Sequence, residues 1–186
     1  TIVLVPEIPL GTLGAAAFFI ENGCNPLFRQ KRIGKAGSQF KTWKLRTMPF
    51  NPATYNGDHE DASGGDNDER RTKVGKILSG AKIDDALMVV NVLAGHMSMV
   101  GPRPLTTGDT QATYDVLSSS ERKDWDWSRE ILPGEVSDFH AKSIGMDPKS
   151  DAFLRARVES DIWFREHTSP AVDAAIIGDA VKGVAV

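Results

Sequence analysis

The sequence predicts an α+β fold, mostly helical, with one small β-hairpin and an apolar segment at its N-terminal end. Three observations carry this expectation. Two short β-rich runs flank Gly34-Lys35-Ala36-Gly37, five helical stretches follow residue 70, and Ile2 to Ile20 is mostly apolar. The chain has 186 residues, 40% of them hydrophobic and 25% charged. That length suits about one domain with a real core, and the composition is that of a globular protein, not a disordered one. A net charge of -3 and a pI near 5.8 argue against a general nucleic-acid binder, which would be basic over the whole domain. The single Cys24 excludes an internal disulfide framework and fits a reducing compartment; it reads as a small packed side chain.

The apolar run is broken by Pro6, Glu7, Pro9, Gly11 and Gly14, so it falls short of the roughly 20 continuous apolar residues of a spanning helix. It also lacks the basic n-region of a signal peptide. From Asn22 to Gly57 there is no acidic residue, while Arg29, Lys31, Arg32, Lys35, Lys41, Lys44 and Arg46 are cationic. An apolar, proline-interrupted segment followed by a basic strip suits a helix that dips into a bilayer and returns on the side facing anionic lipid. A buried core helix is the alternative. The segment starts abruptly in apolar sequence, as a truncated helix would. The expected division is a membrane-dipping segment over 1–24 and a single domain over 25–186, with no repeat.

Leu27-Phe28-Arg29 and Phe40-Lys41-Thr42-Trp43-Lys44-Leu45 read as the hairpin strands. Residues 51–69, rich in Asn, Gly and Asp, read as a solvated loop. Its acids Asp58, Glu60, Asp61, Asp66, Asp68 and Glu69 lack the ligand spacing of a calcium loop. Helices are expected over about 74–94, 110–118, 120–130, 151–166 and 169–184, the last capped by Ser169 with Pro170 in the first helical position. Val172, Ile176, Ala180 and Val184 form a stripe at i, i+4 spacing that reads as core packing.

The most informative stretch is Ile83-Asp84-Asp85-Ala86, followed by Asn91-Val92-Leu93-Ala94-Gly95-His96-Met97-Ser98-Met99-Val100-Gly101-Pro102-Arg103-Pro104. Two adjacent carboxylates lead into a stiff turn that fixes an arginine, downstream of a basic strip. That combination points to chemistry on a phosphate. His59, His96, His140 and His167 show no pair at metal-binding spacing, although His96 occupies a position in this stretch. There is no Ser-His-Asp arrangement, Walker loop or Rossmann glycine fingerprint.

These residues carry a resemblance. Gln30-Lys31-Arg32-Ile33-Gly34, Phe40-x-x-Trp43-Lys44-Leu45-Arg46-Thr47-Met48, Arg70-x-Thr72-Lys73-Val74-Gly75, the two segments above, Leu132-Pro133-Gly134 and Asp161-x-Trp163-Phe164 with Ser169 and Asp173 resemble the bacterial sugar transferases, the monotopic phosphoglycosyl transferases. The similarity covers most of residues 26–184. It implies a monotopic membrane-associated domain with a re-entrant N-terminal helix, kinked at Pro9 or Pro6, on the cytoplasmic face of a bacterial inner membrane. It further implies transfer of a sugar-1-phosphate from a UDP-sugar to polyprenyl phosphate with release of UMP, at the start of surface glycan or exopolysaccharide synthesis. The family's aspartate nucleophile falls on Asp84, and its neighbouring glutamate, implicated in Mg2+ binding, on Asp85. Lys44, Arg46, Arg70 and Arg103 match motif positions and are candidate phosphate contacts. The implied partners are UDP-sugar, polyprenyl phosphate and the bilayer; a homo-oligomer is compatible with the sequence.

The physics is coherent with that reading. A carboxylate approaching a diphosphate meets anionic repulsion, which a metal and cationic side chains offset. Magnesium is satisfied by one or two carboxylates with phosphate oxygens and water. Consecutive residues of a helix diverge by about 100°, which would aim Asp84 at phosphorus and Asp85 at the metal. Arg46 and Arg70 have the alternative of pairing with carboxylates to hold the hairpin, and Arg103 that of bonding carbonyls in its turn.

Several positions depart from the family pattern. Asp85 replaces the glutamate and reaches about 1.5 Å less. Ser79 replaces an arginine, Lys82 a serine or threonine, and His96 the aspartate of Gly-Asp-Met-Ser. Glu135 to Ser143 stand where the family carries an arginine-containing run, leaving Lys142 as a poor substitute. A catalytically inactive relative that binds membrane, nucleotide-sugar or a partner enzyme is therefore the competing reading.

Overall fold

The computed structural model describes residues 4–49, 69–81, 83–143, 145–148 and 150–184. The expected acidic loop therefore lies outside the described residues apart from Glu69, as does Lys82. The architecture is α+β and mostly helical, as the sequence predicts. The chain divides into two compact units, Thr1–Lys31 with Lys41–Asn91 and Arg32–Phe40 with Val92–Val186.

The first unit begins with helix α1 (Leu4–Asn22), which contains Pro9. Gly11, Gly14 and Phe18 recur at i, i+3 and i+7 and form its buried seam, with Phe18 fully enclosed. The opposite side presents Leu10, Leu13, Phe19 and Ile20, between 46% and 83% exposed. A helix apolar on both sides but packed on only one leaves an unusual oily surface. Among the described residues, no helix is long and apolar enough to cross a membrane. Strands β1 (Leu27–Ile33) and β2 (Gln39–Leu45) form the antiparallel hairpin. They are joined by a 3₁₀ turn, Lys35–Gly37, in which Ala36 and Gly37 adopt φ of 50° and 77°; this turn and the adjoining strand ends, Arg32–Phe40, are part of the second unit.

Helix α2 (Lys73–Gly80) starts at Thr72, whose hydroxyl accepts the Gly75 N–H at 2.9 Å. The Glu21 carboxylate of α1 accepts the Lys73 and Val74 N–H groups at 3.1 and 3.2 Å, covering donors that the first turn of a helix leaves open. A hydrogen bond from the Thr72 hydroxyl holds the Glu21 carboxyl below its ordinary pKa against desolvation, with help from the Val74 and Lys73 N–H groups and the Asn22 amide. Phe18, Leu45 and Leu78 make the core of this unit, with Ala15, Cys24, Val74, Ile83 and Leu87 around them.

The continuous helix expected over 74–94 is instead three pieces: α2, a 3₁₀ turn at Ile83–Met88, and α3 (Val89–Leu93). Gly80 weakens helix continuation, and the Ala81 N–H closes α2 by donating to the Ile77 carbonyl at 3.0 Å. Restarting as a 3₁₀ turn swings neighbouring side chains about 120° apart, wider than the spacing the sequence reading assumed.

The second unit holds β3 (Ser98–Val100), α4 (Thr107–Val116), α5 (Ser119–Ser128), β4 (Gly134–Val136), α6 (Phe139–Lys142), α7 (Asp151–His167) and α8 (Pro170–Val184). The caps explain the helix starts. Thr106, Ser118, Ser150 and Ser169 each accept a backbone N–H from three residues on, and Ser118 and Glu121 complete a capping box. Strands β3 and β4 pair in parallel, Ser98 opposite Gly134 and Val100 opposite Val136, a pairing absent from the sequence reading. Val172 and Ile176 of the α8 stripe pack with Val100 and Phe164, as expected of a core face.

Two glycines allow backbones to touch. A Cβ on Gly75 would lie 1.9 Å from the Thr47 carbonyl oxygen, and one on Gly134 would lie 2.0 Å from the Gly101 nitrogen. Gly134→Ala and Gly75→Ala should each cost at least about 2 kcal/mol in urea unfolding. Gly178→Ala, with nothing within 4 Å, should instead add about 0.5–1 kcal/mol. Glu21→Gln should lower the melting temperature at neutral pH. Because the folded-state pKa is depressed, the Glu21 contribution is present above the ordinary glutamate range and is lost as pH falls through the folded value. The melting curves of variant and parent should therefore converge in acid.

Candidate active site

Asp84 and Asp85 stand on the 3₁₀ turn, half-buried, between Ile83 and Leu87 on the core side and the buried Ala86 and Met88. Gly11 of α1 lets that helix approach: its absent Cβ position is 3.6 Å from the Ala86 Cβ. The turn therefore seats two adjacent carboxylates against an apolar floor. Two like charges on neighbouring residues raise each other's cost, and β2 supplies an opposite charge. The Lys44 ammonium lies 2.6 Å from Asp85 Oδ1, the two side chains only 14% and 21% exposed.

Strand β2 is held in register with this turn by Asn91, which is 3% exposed. Its Oδ1 accepts the Trp43 N–H at 3.1 Å, and its Nδ2 donates to the Lys41 carbonyl at 2.7 Å. On the hairpin side, the Thr42 hydroxyl donates to the Gln30 carbonyl at 3.3 Å. The sequence reading quoted Asn91 but gave it no role. Its signal was a polar residue inside the apolar run Leu87 to Leu93.

The other expected cations are placed as follows. Arg46 follows β2; its Nε–H donates to the Asn25 carbonyl at 3.1 Å and its guanidinium lies 5.4 Å from the Phe28 ring, so part of its role is to hold the entry to the hairpin. Arg70 is exposed, two residues before the Thr72 cap of α2. Arg29 stacks 4.8 Å above Trp43. The basic strip is thus partly structural, while Lys44 and Asp85 are brought together.

Arg103 belongs to the second unit and stands half-buried between Pro102 and Pro104, each of which restricts the backbone. The turn around it is pinned at three carbonyls. Pro102 accepts the Gly134 N–H at 2.9 Å, Pro104 accepts Arg32 Nη1 at 3.1 Å, and Leu105 accepts the Ile33 N–H at 2.8 Å. Behind it lies a buried ionic group. Arg129 Nη1 pairs with Asp161 Oδ2 at 3.3 Å, and Trp125 Nε1 donates to the same oxygen at 2.9 Å. Burial pushes the Asp161 carboxyl up against the pull of Arg129 and Trp125, and burial lowers the Arg157 guanidinium in the same region. The Arg129 carbonyl accepts the Ala36 N–H at 2.9 Å, tying the hairpin tip to this group. Lys142, the substitute for the family's arginine, pairs with Asp138 and lies 4.9 Å from the Trp163 ring. His96 is exposed and its ring centroid is 6.0 Å from that of Phe40.

Among the described residues, no cluster of three or more His, Cys, Asp or Glu could hold a metal by itself. The donors on the turn are two hard carboxylates, one already facing an ammonium.

Comparison with known proteins agrees with these motifs. The family model described as bacterial sugar transferase matches residues 1–186. A UDP-glucose:undecaprenyl-phosphate glucose-1-phosphate transferase of Caulobacter vibrioides is 34% identical over 170 residues, covering 91% of this chain and 60% of that protein. Proteins of the same description from Escherichia coli and Klebsiella pneumoniae are 36% and 42% identical, over 95% and 81% of this chain but only 36% and 30% of their own lengths. The chain therefore spans less than two thirds of each of these relatives. With its whole length matched by the family model, the chain belongs to the bacterial sugar transferase family.

Proposed function

We propose that this chain transfers a sugar-1-phosphate from a UDP-sugar to polyprenyl phosphate, with Asp84 as the nucleophile. The observation that carries the reading is the Lys44–Asp85 ion pair beside Asp84 on a half-buried turn. A UDP-sugar donor and an undecaprenyl phosphate acceptor are named for its relatives.

A carboxylate oxygen of Asp84 attacks the sugar-bearing phosphorus. The phosphorus–oxygen bond to the bridging oxygen breaks, and UMP leaves with that electron pair. An oxygen of polyprenyl phosphate then attacks the same phosphorus, forming a sugar diphosphate lipid and returning Asp84 as carboxylate. Dividing the transfer in two replaces one difficult encounter between anions by two easier ones. Lys44 supplies positive charge where the diphosphate gathers negative charge. Arg46, Arg70 and Arg103 are proposed to bind phosphate oxygens, arginine through its planar fork.

The donor set fits magnesium, which takes one or two carboxylates and fills its remaining positions with water and phosphate oxygens; Asp85 is the proposed ligand, sharing its charge with Lys44. When bound, the ion would neutralise the diphosphate and the departing UMP. The uncovered apolar side of α1, Leu10, Leu13, Phe19 and Ile20, supports a membrane-associated, re-entrant placement of that helix.

Purified protein in detergent or nanodiscs, given a panel of UDP-sugars with Mg2+ and polyprenyl phosphate, should release UMP. Asp84→Asn should reduce release to background and remove the phospho-sugar adduct seen by mass spectrometry on the Asp84 peptide. No release with any donor would favour the inactive, binding relative. Chelation by EDTA should suppress turnover and added Mg2+ restore it; activity indifferent to both would remove the metal from the scheme.

A further inference from the structure

Asn91 does more than satisfy the edge of β2. Its amide accepts from the Trp43 N–H and donates to the Lys41 carbonyl, the groups flanking Thr42. In a parallel ladder one residue bonds its neighbour strand in this same way, through the carbonyl before and the N–H after the residue opposite. The side chain thus stands in for one residue of a third strand. Both bonds are part-buried and Asn91 itself is 3% exposed, and hydrogen bonds shielded from water specify one arrangement more strictly. Side chains two apart on a strand share a face, so anchoring the backbone around Thr42 also fixes the root of Lys44. At its other end Asn91 lies six residues beyond Asp85, in α3, which continues directly from the 3₁₀ turn.

We infer that Asn91 is a positioning residue that sets the Lys44–Asp85 contact, and through it the charge presented to the phosphates. This rests on the reading of the site given above, but the contact itself can be tested without activity. Lysine and aspartate side chains are flexible. A 2.6 Å ion pair held between two separate segments of chain requires the backbones carrying them to keep a fixed spacing. Asn91 is a direct tie between those backbones. Without it, β2 keeps its apolar contacts, which are not directional, and its ladder to β1, which does not reach the turn.

The test uses the full chain with two substitutions. Asn91→Ala removes both bonds. Asn91→Gln keeps both functional groups but is one methylene longer, so it preserves hydrogen bonding while shifting the spacing. Each is checked for folding by circular dichroism, and Lys44 is then labelled with an activated acyl ester and followed by mass spectrometry, with exposed Lys76 as the internal reference. Lys44 should acylate at least about threefold faster in either folded variant, with Lys76 unchanged, because a released ammonium loses its carboxylate and gains solvent. In UMP release, kcat should fall by about tenfold or more, the scale expected for a misplacement near 1 Å, with KM moving less. The loss should largely vanish when Asn91→Ala is introduced into Lys44→Met, since residues acting through one contact are not additive. An unchanged Lys44 labelling rate in a folded variant overturns the inference, and so do losses from Asn91→Ala and Lys44→Met that multiply. If the parent protein releases no UMP, the proposed function fails, while the labelling result still decides the role of Asn91.

Discussion

Two adjacent carboxylates on a half-buried turn are an electrostatic liability, and the Lys44–Asp85 ion pair is what makes them tolerable. Neither group can escape to water with little cost, since both side chains are largely covered. Removing one partner would leave the other charge poorly solvated, a costly condition for any buried ionic pair. The arrangement leaves Asp84 beside a neutralised neighbour instead of a second full negative charge. In the proposed reaction, a carboxylate that approaches a diphosphate benefits from that local balance.

The rest of the first unit serves to keep this pair in place. The glycines of α1 permit the helix to lie against the turn, with Gly11 near Ala86 and Gly14 so close to Leu78 that a Cβ would come within 2.5 Å of it. Phe18 fills the space between β2 and α2. Glu21 ties the end of α1 to the start of α2. The side of α1 turned away from these contacts is apolar and uncovered, so one helix both supports the carboxylates and carries an exposed apolar surface. The second unit applies the same economy to Arg103. Its turn is gripped by backbone and arginine hydrogen bonds and backed by a buried ionic group around Asp161.

Much of the architecture was legible because it is written locally. The hairpin follows from alternating side chains around a glycine-bounded turn. The last helix follows from Ser169 and Pro170, whose capping is a short-range interaction. The carboxylate pair and the Gly-Pro-Arg-Pro turn were visible as motifs. The break after Gly80 was missed because apolar spacing continues across it, and periodicity alone does not distinguish one helix from two segments joined by a 3₁₀ turn. The parallel pairing of β3 with β4 was missed for a different reason. Strands of three residues carry no usable alternation, and their partners lie more than thirty residues apart.

The candidate residues show the same division. Residue type and order alone marked the Asp84–Asp85 pair and the turn that holds Arg103, since phosphate chemistry needs carboxylates and cations; Lys44 was singled out by its position in a motif of the family the sequence resembles. Only the tertiary structure decided that Lys44 meets Asp85, that Arg46 also braces the Asn25 carbonyl, and that Asn91 turns its side chain into a substitute strand. Those outcomes depend on the distance between segments some fifty residues apart in sequence. Such distances are set by packing of the intervening chain, which no local pattern encodes.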